Sequence, residues 1–427
     1  MRVLVCDDIE RRCAEVVDSI REAGQPNPQV LVGPDLTEEL SKLFASIREY
    51  MADDATTYKG ADRSPFDDAD IIILDNNLTH LHVTGARLTA ESIAGYIRAF
   101  TEASYIVSLN KNPDVDFDLR YLMGDYSTRA DLALNTEHLS NPALWTRNQA
   151  MAKGGFLPWY WPRLEKIADR RQAQQRFVLE HLDDSVFSTL GFEEEAISSL
   201  PAHAIGALSP RADLAKVDQD TIPINELTFR QVFMAENRSL PVEEEREKLN
   251  KGEQEGIPGI RETIARIVAA DIDHWFRRDI LGPQETLVDI PHLLLRMPFL
   301  LGTRASDLEE WNKSAVANST PYGLEQRLYD AHLAERKFVQ DTWVPFACFW
   351  WHKLKADESL NELFFAAKEG DWADAVFCED TSAFAAREPT KGVSPVEFPA
   401  EFDGSWTHRY VSRIEGVHYA PRSQLAL

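Results

Sequence analysis

Short apolar runs alternate with amphipathic stretches over the first 140 residues of the chain. Two of the runs, Val3 to Cys6 and Ile71 to Leu74, hold four apolar residues in succession and stop abruptly at aspartates. Such runs are typical of central strands that are buried on both faces. Further strands are predicted at 29–32, 105–109 and 131–135. Strands that alternate with helices indicate a parallel sheet with right-handed crossovers, so we predict a five-stranded α/β domain over residues 1–140.

Helical periodicity dominates from about residue 150, and we predict a mainly α-helical domain over 150–388. Its helices are expected at roughly 162–181, 193–207, 258–280, 290–300 and 325–369. The polar stretch 52–69, with a glycine, a proline and several aspartates, predicts a surface insertion in the first domain. Residues 389–427 contain three prolines before Tyr410, so we predict a C-terminal extension that ends in a strand or a hairpin at 410–414.

Composition and charge limit the class of protein. The 427 residues are 44% hydrophobic and include ten tryptophans, which indicates a globular chain of two or three domains. The formal net charge is −25, and the lysines and arginines form no dense stripe in the sequence. Nucleic-acid binding draws on clustered cations, so we expect proteins or small molecules as partners and no nucleic acid.

The cysteines and the apolar segments bear on the location of the protein. The four cysteines are scattered and form no C-x-x-C pair, which favours buried thiols in a reducing compartment. No secretory signal pattern precedes the first strand, and the most apolar stretch, 290–301, is broken by His292 and Arg296. We therefore expect a cytoplasmic protein with no membrane segment.

Acidic residues stand where the predicted central strands end. Asp7 and Asp8 follow the first strand directly, and Asp75 closes the strand that begins at Ile71. The carboxyl ends of parallel strands lie at one edge of the sheet, where ligands bind in open α/β folds. Three carboxylates at one edge repel one another, and a hard divalent cation with oxygen ligands relieves the repulsion. Mg²⁺ is the commonest such ion, so the pattern predicts a magnesium site and favours phosphoryl chemistry.

With these residues in this order, the N-terminal third resembles the receiver domain of two-component response regulators. The matching positions are Asp7, Asp8, Asp75, Gly85, Arg98 and Ser108, the last of which lies 33 residues beyond Asp75. The resemblance implies a flavodoxin-like fold in which Mg²⁺ is bound by Asp7, Asp8, Asp75 and the backbone carbonyl of Asn77. It further implies that Asp75 accepts a phosphoryl group, and that Ser108 hydrogen-bonds this group.

The resemblance also implies a function and partners. Receiver domains take a phosphoryl group from a histidine kinase or a phosphotransfer protein, and they change their affinity for a partner protein as a result. We therefore expect a signalling protein whose helical domain engages another protein, with a homodimer as a further expected assembly. Such a domain is a phospho-acceptor and not a turnover enzyme.

One position departs from the family pattern and leaves two alternatives open. The fifth predicted strand ends at Asn135, where receivers carry a lysine that pairs with the phosphoryl group. A domain without that lysine could serve as a non-phosphorylated scaffold or adaptor, and the helical domain could instead be an enzyme gated by the first domain. Beyond Asp75, His80 and His82 alternate in a pattern more typical of a polar loop than of a second metal site.

Overall fold

The fold is that of a computed structural model of the chain. The residues described are 2–50, 62–81, 83, 88–110, 130–146, 164–206, 223–233, 257–281, 284–301, 308–316, 342–344, 347–360, 375–388, 392, 394–395, 410–417 and 419. His82, Gly85 and most of the insertion predicted at 52–69 lie outside these residues, so what the sequence suggests for them stays a prediction.

Five parallel strands form the N-terminal sheet, in the spatial order β2-β1-β3-β4-β5. The strands are β1 Val3–Asp7, β2 Gln29–Val32, β3 Ile71–Asp75, β4 Tyr105–Leu109 and β5 Leu132–Leu134. This is the strand order of flavodoxin-like folds, and it confirms the predicted five-stranded parallel sheet. The unbroken apolar runs β1, β3 and β4 are buried along their whole length, whereas β2 lies at the edge with Gln29 and Val30 exposed.

Helices cover both faces of this sheet. They are α1 Glu10–Glu22, α2 Pro34–Tyr50, α3 Pro65–Asp68, α4 Ala90–Phe100, α5 Thr136–Ser140 and α6 Pro142–Thr146. Successive strand residues point to opposite faces, so Val3 and Val5 pack with α1 while Leu4 and Cys6 pack with α2 and α4. Two separate apolar cores result, one on each face of the sheet.

The C-terminal region combines helices with two small sheets among the described residues. The helices are α7 Leu164–His181, α8 Val186–Leu190, α9 Glu194–Ser198, α10 Ala202–Gly206, α11 Phe229–Phe233, α12 Ile257–Trp275, α13 Ile290–Arg296, α14 Leu308–Val316 and α15 Trp351–Ala356. The strands are β6 Leu287–Asp289, β7 Cys348–Trp350, β8 Ala375–Cys378, β9 Ala383–Ala386, β10 Ser394–Pro395 and β11 Tyr410–Val411. β6 pairs with β7, and the other four strands form a sheet of order β10-β11-β8-β9.

The prediction of a mainly helical domain over 150–388 therefore holds only in part. The predicted helix 325–369 is wrong at 348–350, where three buried apolar residues form strand β7. A short apolar run fits a buried strand or a buried helix equally well by periodicity, and antiparallel pairing with β6 decides for the strand. The predicted helix 193–207 is two helices, because Pro201 between them lacks the amide that a continuous helix requires.

The N-terminal and C-terminal regions share one apolar core. Helix α12 packs along α4 and along α7, so the helical region lies against one face of the N-terminal sheet. Ile93 and Ile97 of α4 belong to the same buried cluster as Ile264 and Val268 of α12. The opposite face of the sheet keeps its separate core under α1.

A buried ionic network crosses the boundary between the two regions at the amino-terminal end of the sheet. Asp131, immediately before β5, accepts hydrogen bonds from the guanidinium groups of Arg98 in α4 and Arg171 in α7. The Arg98 guanidinium also donates to the carbonyl of Ser104 at 3.2 Å, and the amide of Ile106 donates to Asp131 Oδ2 at 2.9 Å. All three charged side chains are almost completely buried.

Helix α12 completes the charge balance of this network. Arg171 Nη2 lies 3.5 Å from Asp273 Oδ2, and Gln174 Nε2 donates to Asp273 Oδ1 at 2.9 Å. Burial lowers the pKa of Arg98 to about 10, and the charge of Asp131 opposes the shift. Burial also acts to lower the pKa of Arg171, but Asp131 and Asp273 outweigh it and the pKa is raised. Both guanidinium groups therefore stay charged at neutral pH, and two aspartates balance two arginines.

Replacing Asp131 by Asn tests the weight of this network. The variant leaves two buried guanidinium groups with one carboxylate instead of two, so we expect the free energy of unfolding to fall by about 3–5 kcal/mol. Denaturant unfolding followed by tryptophan fluorescence measures the change. Asp68→Asn is the matched control, because Asp68 pairs with Arg63 at the surface, and it should leave the unfolding midpoint unchanged. An equal loss of unfolding free energy in both variants would show that the buried network stabilises the protein no more than a surface ion pair does.

Candidate metal centre

Strand pairing brings three carboxylates together at the carboxyl-terminal edge of the N-terminal sheet. Asp7 and Asp75 are the last residues of the neighbouring strands β1 and β3, and Asp8 follows Asp7. One carboxylate oxygen from each of the three lies within 4.8 Å of the others. Asp7 and Asp75 are buried, while Asp8 is partly exposed. These three acids, here called the acidic cluster, are the ones that the sequence predicts to converge.

Backbone amides hold two of the carboxylates in place. The amide of Ile9 donates to Asp7 Oδ1 at 2.8 Å, and the amide of His80 donates to Asp8 Oδ2 at 3.0 Å. The second contact joins residues that are 72 positions apart and brings the loop after β3 to the acidic cluster. The contribution of His80 to the site is therefore its backbone amide.

Buried oxygens at this edge of the sheet include Oδ1 of Asp8 and Oδ1 of Asn76, the residue after β3. These two atoms have no hydrogen-bond partner within the described part of the chain. Burial of an acceptor without a donor costs about 1–3 kcal/mol, and repulsion among the three carboxylates adds to that cost. A bound cation would reduce both costs. The acidic cluster can therefore hold a metal ion, and its oxygen ligands suit Mg²⁺, Ca²⁺ and Mn²⁺ alike.

Asn77 lies two residues beyond Asp75, in the loop at the same edge of the sheet. Its side-chain oxygen accepts hydrogen bonds from the amide and the hydroxyl of Thr79, at 3.3 and 2.7 Å. Its backbone forms an isolated antiparallel bridge with Thr89. The side chain is thus engaged locally, and the use of the Asn77 backbone carbonyl as a metal ligand stays a prediction.

The strand register places Ser108 beside Leu74 and not beside Asp75. In the β3–β4 ladder, Leu74 pairs with Ser108 and Asp75 pairs with Leu109. Paired residues of parallel strands point to the same face of a sheet, and successive residues alternate between faces. Ser108 is therefore directed, with Leu74, to the face opposite that of Asp75. It is buried on β4, and its hydrogen bond to a phosphoryl group on Asp75 stays a prediction.

Asn135, at the position of the family's lysine, caps a helix. Its side-chain oxygen accepts a hydrogen bond from the backbone amide of His138 at 2.8 Å, and its backbone amide donates to His138 Nδ1 at 3.3 Å. These reciprocal bonds form a capping box at the start of α5. Asn135 is 3% exposed, so the helix that it starts fixes its side chain. The preference of Asn for the N-cap position was a sequence signal for this role.

The sequence did not reveal the buried ionic network, which lies at the opposite end of the sheet from this site. The resemblance places Arg98 in the helix after β3, and the structure makes it a buried partner of Asp131. The other partners, Arg171 and Asp273, lie on helices of the C-terminal region. A charged residue placed directly before an apolar strand was the available signal for Asp131, but its partners are 33 and 40 positions away in the chain.

No protein-family model, no curated protein and no solved structure matches this chain. The resemblance to receiver domains therefore rests on the positions of Asp7, Asp8 and Asp75 and on the strand order of the sheet. Fold alone does not establish function, so the function must be argued from the chemistry of the site itself.

The substitution Asp8→Asn tests whether the acidic cluster is a metal site. Removing one of three mutually repelling charges should raise the melting temperature of the metal-free protein and weaken Mg²⁺ binding by more than about tenfold. Calorimetric titration and thermal unfolding with and without Mg²⁺ measure the two effects. Glu10→Gln, at a nearby exposed acid in the first turn of α1, is the control and should change neither. A metal-free Asp8→Asn protein less stable than wild type would identify the carboxylate as structural.

Two substitutions at Asn135 test its capping role. Asn135→Ala removes the oxygen that accepts the His138 amide, so we expect the free energy of unfolding to fall by about 1 kcal/mol. Asn135→Ser keeps a neutral capping oxygen and should retain most of that stability. Urea denaturation compares the two variants with wild type, and equal losses would rule out capping as the role of the side chain.

Proposed function

We propose that the N-terminal domain is a phospho-acceptor of the response-regulator type, in which Asp75 takes a phosphoryl group while the acidic cluster binds Mg²⁺. The observation that supports this function is the convergence of three carboxylates, within 4.8 Å of one another, at the carboxyl edge of a parallel sheet. Ligands bind at that edge in open α/β sheets. In this proposal the backbone carbonyl of Asn77 is a further ligand of the ion.

The chemistry requires one balanced transfer step. A carboxylate oxygen of Asp75 attacks the phosphorus of a phosphohistidine, in line with the phosphorus–nitrogen bond. An acyl phosphate forms as that bond breaks, and the leaving imidazole takes up a proton from solvent. A bound divalent ion supplies positive charge that offsets the carboxylates and the phosphoryl oxygens.

The proposed partners follow from this chemistry and from the charge of the chain. We infer that the phosphoryl donor is a histidine kinase or a phosphotransfer protein, and that the helical region engages a further protein. The net charge of −25 opposes binding to nucleic acid. All four cysteines are buried and none is in a disulfide, which supports the proposed cytoplasmic location. None of the described helices is long and apolar enough to cross a membrane.

One observation favours a second candidate function, an adaptor that binds a cation but is not phosphorylated. Asn135 caps α5 and offers no positive charge to a phosphoryl group. In this alternative the ion in the acidic cluster fixes the loop after β3, which presents a surface to a partner protein. An enzyme gated by the N-terminal domain, the remaining alternative, stays a prediction.

Intact-protein mass spectrometry after incubation with acetyl phosphate and Mg²⁺ separates the two functions. A phospho-acceptor should gain one phosphoryl group, and Asp75→Asn should gain none. Asp18→Asn, at an exposed acid of α1, is the control and should behave as wild type. Chelation of Mg²⁺ should abolish the gain. If wild type gains no phosphoryl group while Mg²⁺ still raises its melting temperature, the adaptor is the better account.

A further inference from the structure

The loop beside the acidic cluster is tied to the start of helix α4. Residues 76–78 pair with residues 88–90 through two backbone hydrogen bonds of 3.2 and 3.3 Å, with the antiparallel bridge between Asn77 and Thr89 in the middle. The same loop donates the amide that holds Asp8. Thr89 is the N-cap of α4, so a displacement of the loop displaces the first turn of the helix.

Helix α4 links the acidic cluster to the far end of the sheet. Its 11 residues span about 16 Å, from the N-cap Thr89 to a last turn that carries Arg98. A capping box fixes its first turn, with the amide of Thr89 donating to Ser92 Oγ at 2.9 Å. Ile93 and Ile97 anchor its buried side in the core that it shares with α12. A helix packed in this way transmits a displacement along its length because protein interiors are close-packed.

Arg98 joins the end of α4 to the buried ionic network. Its guanidinium donates to Asp131, which also accepts from Arg171 of α7. Arg171 in turn lies 3.5 Å from Asp273 of α12. Each link is a direct contact between charged side chains that are largely buried. A displaced guanidinium would leave a buried carboxylate incompletely paired, so the network favours one arrangement of the three helices.

We propose that helix α4 couples the occupancy of the acidic cluster to the C-terminal region, with Arg98 as the positioning residue at its far end. This inference rests on the proposed function, since the event that it transmits is the binding of a divalent cation or a phosphoryl group at the acidic cluster. A bound cation would take the Asp8 carboxylate as a ligand. Because the loop after β3 is hydrogen-bonded to that carboxylate, cation binding shifts the loop and, with it, the start of α4. The position of α4 determines the contact between Arg98 and Asp131. That contact in turn affects how α7 and α12 pack.

Hydrogen–deuterium exchange of the full chain, with and without Mg²⁺, tests the coupling in wild type. We expect Mg²⁺ to slow amide exchange in residues 76–81 and in α4, and to slow it by at least about fivefold in α7 and α12, which is the lower end of allosteric coupling. The β8–β9 hairpin is the internal reference and should be unaffected. Slower exchange confined to the loop and α4 would overturn the coupling and leave the proposed function intact.

The substitution Arg98→Gln removes the contact at the end of α4 and leaves the acidic cluster in place. This variant should bind Mg²⁺ and protect residues 76–81, but it should lose the Mg²⁺-dependent protection of α7 and α12. Arg230→Gln is the matched control, because it also removes a buried arginine, one that pairs with Asp183 at 3.1 Å, and it should keep the full response. Protection of α7 and α12 that survives in Arg98→Gln would refute the role of Arg98.

A second variant and a binding measurement keep the test decisive. If Arg98→Gln does not fold, Arg98→Lys keeps the charge without the forked geometry and should show a weaker response than wild type. Calorimetric titration with Mg²⁺ on the same samples separates the two proposals. Binding without a change at α7 and α12 refutes the coupling alone, whereas no binding refutes both the cation site and the coupling.

Discussion

Asp131 joins the two halves of the molecule by accepting hydrogen bonds from one arginine of each. A buried carboxylate or guanidinium is tolerated only when it is paired, so these charges require both halves to be in place. Because Asp131 precedes β5 and Arg98 closes α4, the network fixes a strand and a helix of the sheet domain against α7 and α12. Strands β1 and β3, whose carboxyl ends carry the acidic cluster, belong to the same sheet.

The two charged groups at the ends of the sheet differ in composition. At the amino-terminal end, two aspartates meet two arginines in direct ion pairs. At the carboxyl-terminal end, three aspartates converge, and backbone amides donate to Asp7 and Asp8. Carboxylates this close together repel one another, and a bound divalent cation would offset that repulsion. The first group therefore fits a structural role, and the second is the proposed site of ligand binding.

The sheet and its acidic edge could be predicted from the sequence because both depend on local patterns. Each of the apolar runs of β1 and β3 is followed directly by aspartate, and parallel pairing of the strands brings the acids together. Other features depend on partners far along the chain. Strand β7 is defined by its pairing with β6, and the direction of Ser108 depends on a register that a shift of one residue would reverse. The partners of Asp131 lie on separate helices, and no local pattern identifies them.

The apolar core shared by α4 and α12 limits where the chain can be truncated without exposing buried surface. The change in sequence pattern near residue 150 suggests a boundary, yet Ile93 and Ile97 pack in one cluster with Ile264 and Val268 from the other side of it. A fragment that ended at residue 146 would expose that apolar surface to water, and Asp131 would lose the Arg171 half of its ion pairs. Such a truncation product would be prone to aggregate. The change in sequence pattern near residue 150 therefore does not coincide with a break in the apolar core.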